Sequence, residues 1–319
     1  MGEFDLIDRY FKRPVRQADV GIGDDCAIWT PRAGHQLAIS TDMLVEGRHF
    51  LSTVDPERLG HKALAVNLSD LAACGATPQV FFLSLALPRL EESWLEGFSR
   101  GLFALADAHG IELIGGDTTQ GPLNIAITVI GEVPSSQAVL RSGACAGDDL
   151  YVSGHLGDAR LALEAFRGHI SLPQSVFDVA RLRMEMPEPR LALGQSLRGV
   201  ATAMADISDG LLGDLGHILK ASKVGAEIDL TATADLMAVS ADWKCPADLA
   251  SHCVLSGGDD YELVFTAPTE ARGLVLAAAA HAHTRVTRIG QITDSPELVL
   301  RDAHGLPVQH HHRSFDHFA

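Results

Sequence analysis

The sequence is poor in basic residues, and it has no apolar run long enough to span a membrane. Lys and Arg number 25 against 41 Asp and Glu, which gives a formal net charge of -16. Nucleic acids and anionic membranes are bound chiefly through Lys and Arg patches, so we expect neither as a partner. An acidic chain can still hold phosphates where metal ions lie between carboxylate and phosphate.

Cysteine is scarce as well: the chain has five, an odd number with no close pair, at positions 26, 74, 145, 245 and 253. This pattern predicts reduced thiols, a cytoplasmic location and no zinc site. The first ten residues carry Glu3, Asp5 and Asp8 among apolar residues, which does not resemble a signal peptide.

Three familiar nucleotide-binding motifs are missing from the sequence. It has no Gly-x-x-x-x-Gly-Lys-Ser/Thr loop, no His-Arg-Asp loop, and no Gly-x-Gly-x-x-Gly opening a βαβ unit. A nucleotide site in this chain must therefore have another design.

The chain does have the length and composition of a two-domain α/β protein. It contains 319 residues, 46% hydrophobic residues and 30 glycines. Small polar residues around Pro134-Ser135-Ser136 indicate a domain boundary between there and residue 147. We expect domains at residues 1–136 and 147–319.

In the first half, short strand-like runs at 26–29 and 36–40 flank a Pro- and Gly-containing turn, which predicts a hairpin. The hairpin would bring Asp25 and Asp42 to the same end of a two-stranded ribbon. A strand at 111–114 is expected to lead into Gly-Gly-Asp-Thr-Thr.

A helix is predicted from Pro56, with Asp55 as its N-cap and Gly75 as its terminating residue. Asn67 and Asp70 are three residues apart, so they share a face beside the apolar stripe. A carboxylate there needs a partner.

The second half repeats this order of strand, polar turn and helix. Strands are expected at 150–153 and 201–205, and helices at 158–166 and 211–222. The turn that begins at Asp206 precedes the last of these helices, where backbone N–H groups are available to phosphate oxygens.

Two acidic runs suggest a magnesium site. Gly21-Ile-Gly-Asp-Asp25 and Ser40-Thr-Asp42 offer carboxylate and hydroxyl oxygens, which hard divalent cations prefer. For either run alone, a solvated turn or a capping residue is the simpler interpretation. Their repetition along the chain favours the metal.

Six motifs occur in order, together with the ending Phe315-Asp-His-Phe318. They are Gly21-Ile-Gly-Asp-Asp25, Ser40-Thr-Asp-Met-Leu-Val-Glu-Gly-Arg-His-Phe50, Asn67-Leu-Ser-Asp-Leu-Ala-Ala73, Gly115-Gly-Asp-Thr-Thr119, Asp206-Ile-Ser-Asp-Gly-Leu211 and Ser256-Gly-Gly-Asp-Asp-Tyr-Glu-Leu263. Over essentially the whole chain, the set closely resembles the thiamine-monophosphate kinase family, within the superfamily of aminoimidazole ribonucleotide synthetase.

The resemblance implies an α/β (α+β) fold of two domains and a homodimer joined through N-terminal strands. It implies ATP-dependent phosphorylation of thiamine monophosphate to thiamine diphosphate, by in-line transfer assisted by several Mg²⁺ ions. The N-terminal domain would bind metal and ATP and form the dimer, and the C-terminal domain would complete the metal and substrate site.

Carried over residue by residue, the resemblance assigns roles to fourteen positions. The expected metal ligands are Asp25, Ser40, Thr41, Asp42, Asp70, Asp117, Asp206 and Asp209, of which Asp42, Asp70, Asp117 and Asp206 are expected to be catalytic. The expected ATP contacts are Gly116, Asp117, Arg141 and Ser208. The expected contacts to thiamine monophosphate are His49, Asp259 and Phe315. The family usually has Glu at position 259, and Trp or Tyr is also expected at position 315.

Two alternatives remain open. One is another ATP-using synthetase of the same superfamily, which the complete Val45–Phe50 run and the Phe-Asp-His-Phe ending disfavour. The other is a non-catalytic acidic protein that binds divalent metal. A structural metal protein should not bind nucleotide, so Mg-ATP binding would separate them.

Overall fold

The architecture is mixed α/β, as predicted. The computed structural model describes residues 2–241 and 243–309. The chain divides into two units, each with its own sheet. Unit 1 comprises the residues up to Leu71 together with Ala76–Ser136, and unit 2 comprises Ala72–Gly75 and the residues from Gln137 onward.

Unit 1 is built around a four-stranded sheet in the order β1-β4-β2-β3. Strand β4 is antiparallel to both β1 and β2, and β3 is parallel to β2. The elements are α1 (Glu3–Tyr10), β1 (His35–Val45), α2 (Pro56–Ala73), β2 (Thr77–Leu87), α3 (Glu92–His109), β3 (Glu112–Gln120) and β4 (Asn124–Pro134).

The start, the end and the buried side of helix α2 follow from its sequence. Asp55 Oδ1 accepts the N–H of Glu57 at 2.9 Å, which caps the first turn. Gly75, just beyond the helix, has a φ of +67°, a conformation that glycine adopts without strain. The inward leucines Leu64 and Leu68 are fully buried.

The predicted hairpin is wrong. Residues 26–29 contribute only an isolated bridge, in which Ile28 pairs with Val20. Strand β1 pairs along its whole length with β4, from His35 opposite Pro134 to Val45 opposite Asn124. The distant strand β4 therefore supplies the ladder and the cross-strand contacts that a local hairpin would have supplied.

This pairing also moves two polar motifs from strand ends into strands. Ser40, Thr41 and Asp42 lie inside β1, which continues to Val45. Gly-Gly-Asp-Thr-Thr lies inside β3, where Asp117 pairs with Ser84 of β2.

Unit 2 contains a seven-stranded sheet in the order β11-β10-β7-β9-β5-β8-β6. Its elements are β5 (Asp149–Ser153), α4 (Asp158–Phe166), α5 (Gln174–Glu185), α6 (Leu191–Ser196), β6 (Ala203–Ile207), α7 (Leu211–Ser222), β7 (Gly225–Asp229), α8 (Leu230–Thr233), α9 (Ala247–Ser256), β8 (Glu262–Ala267), α10 (Arg272–His281), β9 (Val286–Thr293), β10 (Leu298–Arg301) and β11 (Pro307–Val308). A core that includes Leu161, Leu215 and Val264 joins its helices to the sheet. Within the described ranges, no helix has both the length and the apolar character that crossing a membrane requires.

Candidate functional site

In unit 1, three oxygen-bearing side chains lie on the sides of β1 and α2 that face each other. Ser40 and Asp42 alternate along β1 and so share one face of the strand. Ser40 Oγ donates a hydrogen bond to Asp70 Oδ2 on α2 at 2.5 Å. All three side chains are half-buried. We call Ser40, Asp42 and Asp70 the β1–α2 oxygen cluster.

A second contact joins the same two elements. The backbone N–H of Asp42 donates to Asn67 Oδ1 at 3.0 Å, and Asn67 Nδ2 donates to the carbonyl of Ala63 at 3.0 Å. Asn67 is 1% exposed. The prediction that Asn67 and Asp70 occupy one partly buried face of the helix is therefore confirmed.

Other expected ligands of unit 1 lie on the opposite face of the sheet. Thr41 Oγ1 lies 2.7 Å from Thr128 Oγ1, and Thr41 is exposed. Asp117 is in register with Ser84 and, through β4, with Met43, so Asp117 shares the face of Thr41. Unit 1 thus presents its expected ligands on two faces of one sheet.

The remaining expected residues of unit 1 lie in turns and at a close backbone approach. Asp25 is exposed, and its N–H donates to Asp24 Oδ1 at 2.9 Å. His49 Nδ1 accepts the N–H of Val45 at 3.0 Å, which leaves the ring proton on Nε2. Gly116 has a φ of +151°, and a Cβ there would lie 1.9 Å from the carbonyl oxygen of Leu83.

In unit 2, a buried carboxylate holds the turn that follows β6. The N–H groups of Ser208 and Asp209 both donate to Asp214 Oδ2 at 3.0 Å. Burial raises the pKa of Asp214 to about 6, although the hydrogen bonds from the N–H groups of Asp209 and Ser208 and the charge of Arg141 lower it. Asp214 was not predicted from the sequence, although a carboxylate in the first turn of a helix is a recognisable signal for loop N–H groups.

The loop before β8 is joined to the same turn. The N–H of Asp259 donates to the carbonyl of Ser208 at 2.8 Å, and the N–H of Tyr261 donates to that of Ile207 at 2.8 Å. Asp259 and Tyr261 have positive φ values of 69° and 51°, which are strained for non-glycine residues and recur at functional sites. Unit 2 therefore brings Ser208, Asp209 and Asp259 together, while Asp206 lies buried within β6.

The carboxylate and hydroxyl oxygens of these side chains are the kinds of ligand that magnesium prefers. Among residues 2–241 and 243–309, no three His, Cys, Asp or Glu side chains converge into a metal-binding group. Magnesium characteristically binds through one or two carboxylates and completes its shell with water and substrate phosphates. Asp42, Asp70 and the Ser40 hydroxyl match that pattern. Phe315 lies outside the described residues.

Comparison with known sequences covers both halves of the chain. The family model described as AIR synthase related protein, N-terminal domain, matches residues 23–133, and the corresponding C-terminal domain matches residues 146–303. A thiamine-monophosphate kinase from Escherichia coli (strain K12) is 45% identical over all of this chain and 98% of its own length.

Solved structures show the same likeness. The thiamine-monophosphate kinase of Stenotrophomonas maltophilia K279a is 43% identical, with a TM-score of 0.85 over 94% of this chain and 96% of its own. The structure of AaThiL complexed with AMPPCP and TMP is 30% identical, with a TM-score of 0.75 over 91% of this chain and 89% of its own.

Proposed function

Since this chain belongs to the thiamine-monophosphate kinase family, we propose that it transfers the γ-phosphoryl group of ATP to the phosphate of thiamine monophosphate, releasing ADP and thiamine diphosphate. The family and the kinase class were both predicted from the motifs, and both predictions are confirmed. The observation that carries the proposal is 45% identity with an enzyme of that name over the full chain. The complex of AaThiL with AMPPCP and TMP supports the choice of substrates.

The proposed reaction needs positioning more than it needs a protein base. A phosphate monoester has a second pKa of about 6, so the attacking oxygen of the substrate is largely ionised at neutral pH. The main barrier is the electrostatic repulsion between ATP and the phosphate of thiamine monophosphate, which must be aligned for in-line transfer. Magnesium, when bound, supplies the charge neutralisation that phosphoryl transfer requires.

In unit 1, we assign the magnesium-binding role first to the β1–α2 oxygen cluster. Asp42 and Asp70 carry the charge, and the hydrogen bond from Ser40 orients the Asp70 carboxylate. Several ions are proposed, and Asp25, Thr41, Asp117, Asp206 and Asp209 stay predicted ligands. The hydroxyl of Thr41 faces away from the cluster.

The other assignments follow the placement of each residue. We assign Arg141, Ser208 and the backbone at Gly116 to ATP on the resemblance to the family, and Ser208 also lies in a turn held by Asp214. We assign His49, Asp259 and Phe315 to thiamine monophosphate. In domain terms, we propose that residues 1–136 bind metal and ATP and form the dimer, and that residues 147–319 complete the metal and substrate site.

We further propose a cytoplasmic homodimer. Leu37, Ile39 and Met43 are 42%, 62% and 53% exposed on the outer face of β1, which is an edge strand. Exposed apolar side chains in one row are typical of an interface. The five cysteines form no disulfide bond with one another, which agrees with a reducing compartment.

Product identification tests the proposal. The protein is incubated with thiamine monophosphate and Mg-ATP, with an EDTA-treated sample as control, and the products are identified by mass spectrometry. We expect thiamine diphosphate and ADP in the sample with magnesium, and neither product in the EDTA-treated sample. ADP without thiamine diphosphate would indicate another ATP-using enzyme of the superfamily. Metal binding without nucleotide binding would indicate a non-catalytic metal protein.

A further inference from the structure

We propose that Asn67 is a positioning residue that holds Asp42 at the correct distance from Asp70 and thereby sets the affinity of the β1–α2 oxygen cluster for magnesium. The inference rests on the proposed function, because it takes Asp42 and Asp70 as magnesium ligands. It concerns a residue that does not itself contact the ion.

The first observation is that Asn67 connects two elements through both ends of one carboxamide. Its oxygen accepts the N–H of Asp42 from β1, and its nitrogen donates to the carbonyl of Ala63 one turn earlier in α2. The side chain is 1% exposed, so water competes poorly for either bond. Asn67 therefore fixes the backbone of Asp42 against α2.

The second observation concerns the strand. Strand β1 is at the edge of its sheet, where alternate backbone N–H groups have no neighbouring strand to receive them. Asn67 supplies the acceptor at Asp42, a residue whose side chain is an expected ligand. A buried N–H that loses its acceptor is costly, so the strand would shift to find another.

The third observation is that the two contacts between β1 and α2 are interleaved. Ser40 reaches from the strand to Asp70, and Asn67 reaches from the helix to Asp42. Asn67 and Asp70 are three residues apart on α2 and thus lie on one face. The helix that provides one carboxylate therefore also holds the backbone of the other.

Asparagine suits this position for its chemistry. Its side chain carries an acceptor and two donors without charge. Aspartate could accept from Asp42 but could not donate to Ala63, and it would place a third negative charge beside Asp42 and Asp70. Serine is too short to span both contacts.

The test measures magnesium binding without relying on turnover. Melting temperatures are recorded at saturating ADP over a range of magnesium concentrations for wild type, Asn67→Ala and the milder Asn67→Ser. Partners that orient metal ligands typically change metal affinity by about 10- to 100-fold when removed. We expect the magnesium concentration at half-maximal stabilisation to rise at least about tenfold in Asn67→Ala, and by a smaller factor in Asn67→Ser.

Asp55→Ala is the matched control, because Asp55 caps the other end of α2 and its side-chain oxygen accepts the N–H of Glu57. It should lower the melting temperature at every magnesium concentration and leave unchanged the magnesium concentration at half-maximal stabilisation. If both Asn67 variants keep the wild-type midpoint while wild type responds to magnesium, this inference is overturned and the proposed function stands. If ADP does not stabilise wild type in magnesium, the proposed function fails, and this inference fails with it.

Discussion

Asp42 presents two groups with separate tasks. Its N–H is held by Asn67, and its half-buried carboxylate lies on the strand face of the oxygen cluster. Asp42→Asn keeps the backbone and the side-chain volume but removes the charge. We expect a kcat at least tenfold lower at saturating magnesium, a barrier change above ~1.4 kcal/mol, with a melting temperature near that of wild type. Retention of more than a tenth of the wild-type kcat would remove Asp42 from direct metal binding.

Asp149 tests the electrostatics of unit 2. Its carboxylate is fully buried and lies 2.5 Å from Nε of Arg272 and of Arg288. The hydrogen bond from Arg272, aided by Arg288 and opposed by burial, lowers the pKa of Asp149. A lowered pKa in the folded state contributes stability above the unfolded value of about 3.9, and this stability is lost as the pH falls through the folded pKa.

Asp149→Asn should therefore unfold at lower urea concentration than wild type at pH 7. The difference in unfolding free energy between the two proteins should narrow as the pH falls below about 4, where wild type loses the same interaction. Urea titrations at several pH values measure this difference. A difference that stays constant down to pH 3 would show that packing, and not charge, accounts for it.

At the scale of elements, close pairing of β3 with β2 depends on one glycine. Gly116→Ala combines a φ of +151° with a Cβ 1.9 Å from a backbone oxygen of β2. We expect a loss of unfolding free energy above ~3 kcal/mol, because a strained φ and a clash with the backbone of β2 both oppose the substitution. Gly34→Ala is the control: φ is +78° there and no atom lies near the added Cβ, so only about 1 kcal/mol should be lost. If chemical denaturation gives similar losses of unfolding free energy for Gly116→Ala and Gly34→Ala, the close approach of β2 to Gly116 is contradicted.

Elements with strong local signals were predictable from the sequence. Helices α4 and α7 have the predicted bounds, because their apolar periodicity is local. Strand pairing is not local: the run at 36–40 was expected to pair with 26–29, yet β1 pairs with β4. A single sequence carries no direct record of such distant partners.

In the candidate site, too, only the features with a local signal were predictable from the sequence. The shared face of Asn67 and Asp70 followed from helical spacing. The contact of Ser40 with Asp70 required knowledge of which strand face meets α2, and spacing alone does not give it. Asp214 was missed because its function depends on a turn whose N–H groups fold back onto it. The ligand set itself remains a prediction.

At the scale of the whole molecule, the exposed apolar row on β1 predicts self-association. Ile39→Asp places a charge in the middle of that row, where Ile39 is 62% exposed, and should convert a dimer into a monomer. Leu274→Asp is the control, since Leu274 is 59% exposed on α10 of unit 2. Light scattering of the purified proteins measures the mass. A wild-type monomer, or a dimer unaffected by Ile39→Asp, would contradict the proposed interface.

The reaction proposed for this chain is transfer of the intact γ-phosphoryl group of ATP to thiamine monophosphate. The most direct measurement uses ATP with ¹⁸O in the non-bridging oxygens of its γ-phosphate, followed by mass spectrometry of the thiamine product. Because the attacking oxygen belongs to the substrate, we expect thiamine diphosphate that carries all of this label in its terminal phosphate. Labelled inorganic phosphate with no thiamine diphosphate, or thiamine diphosphate without the label, would contradict it.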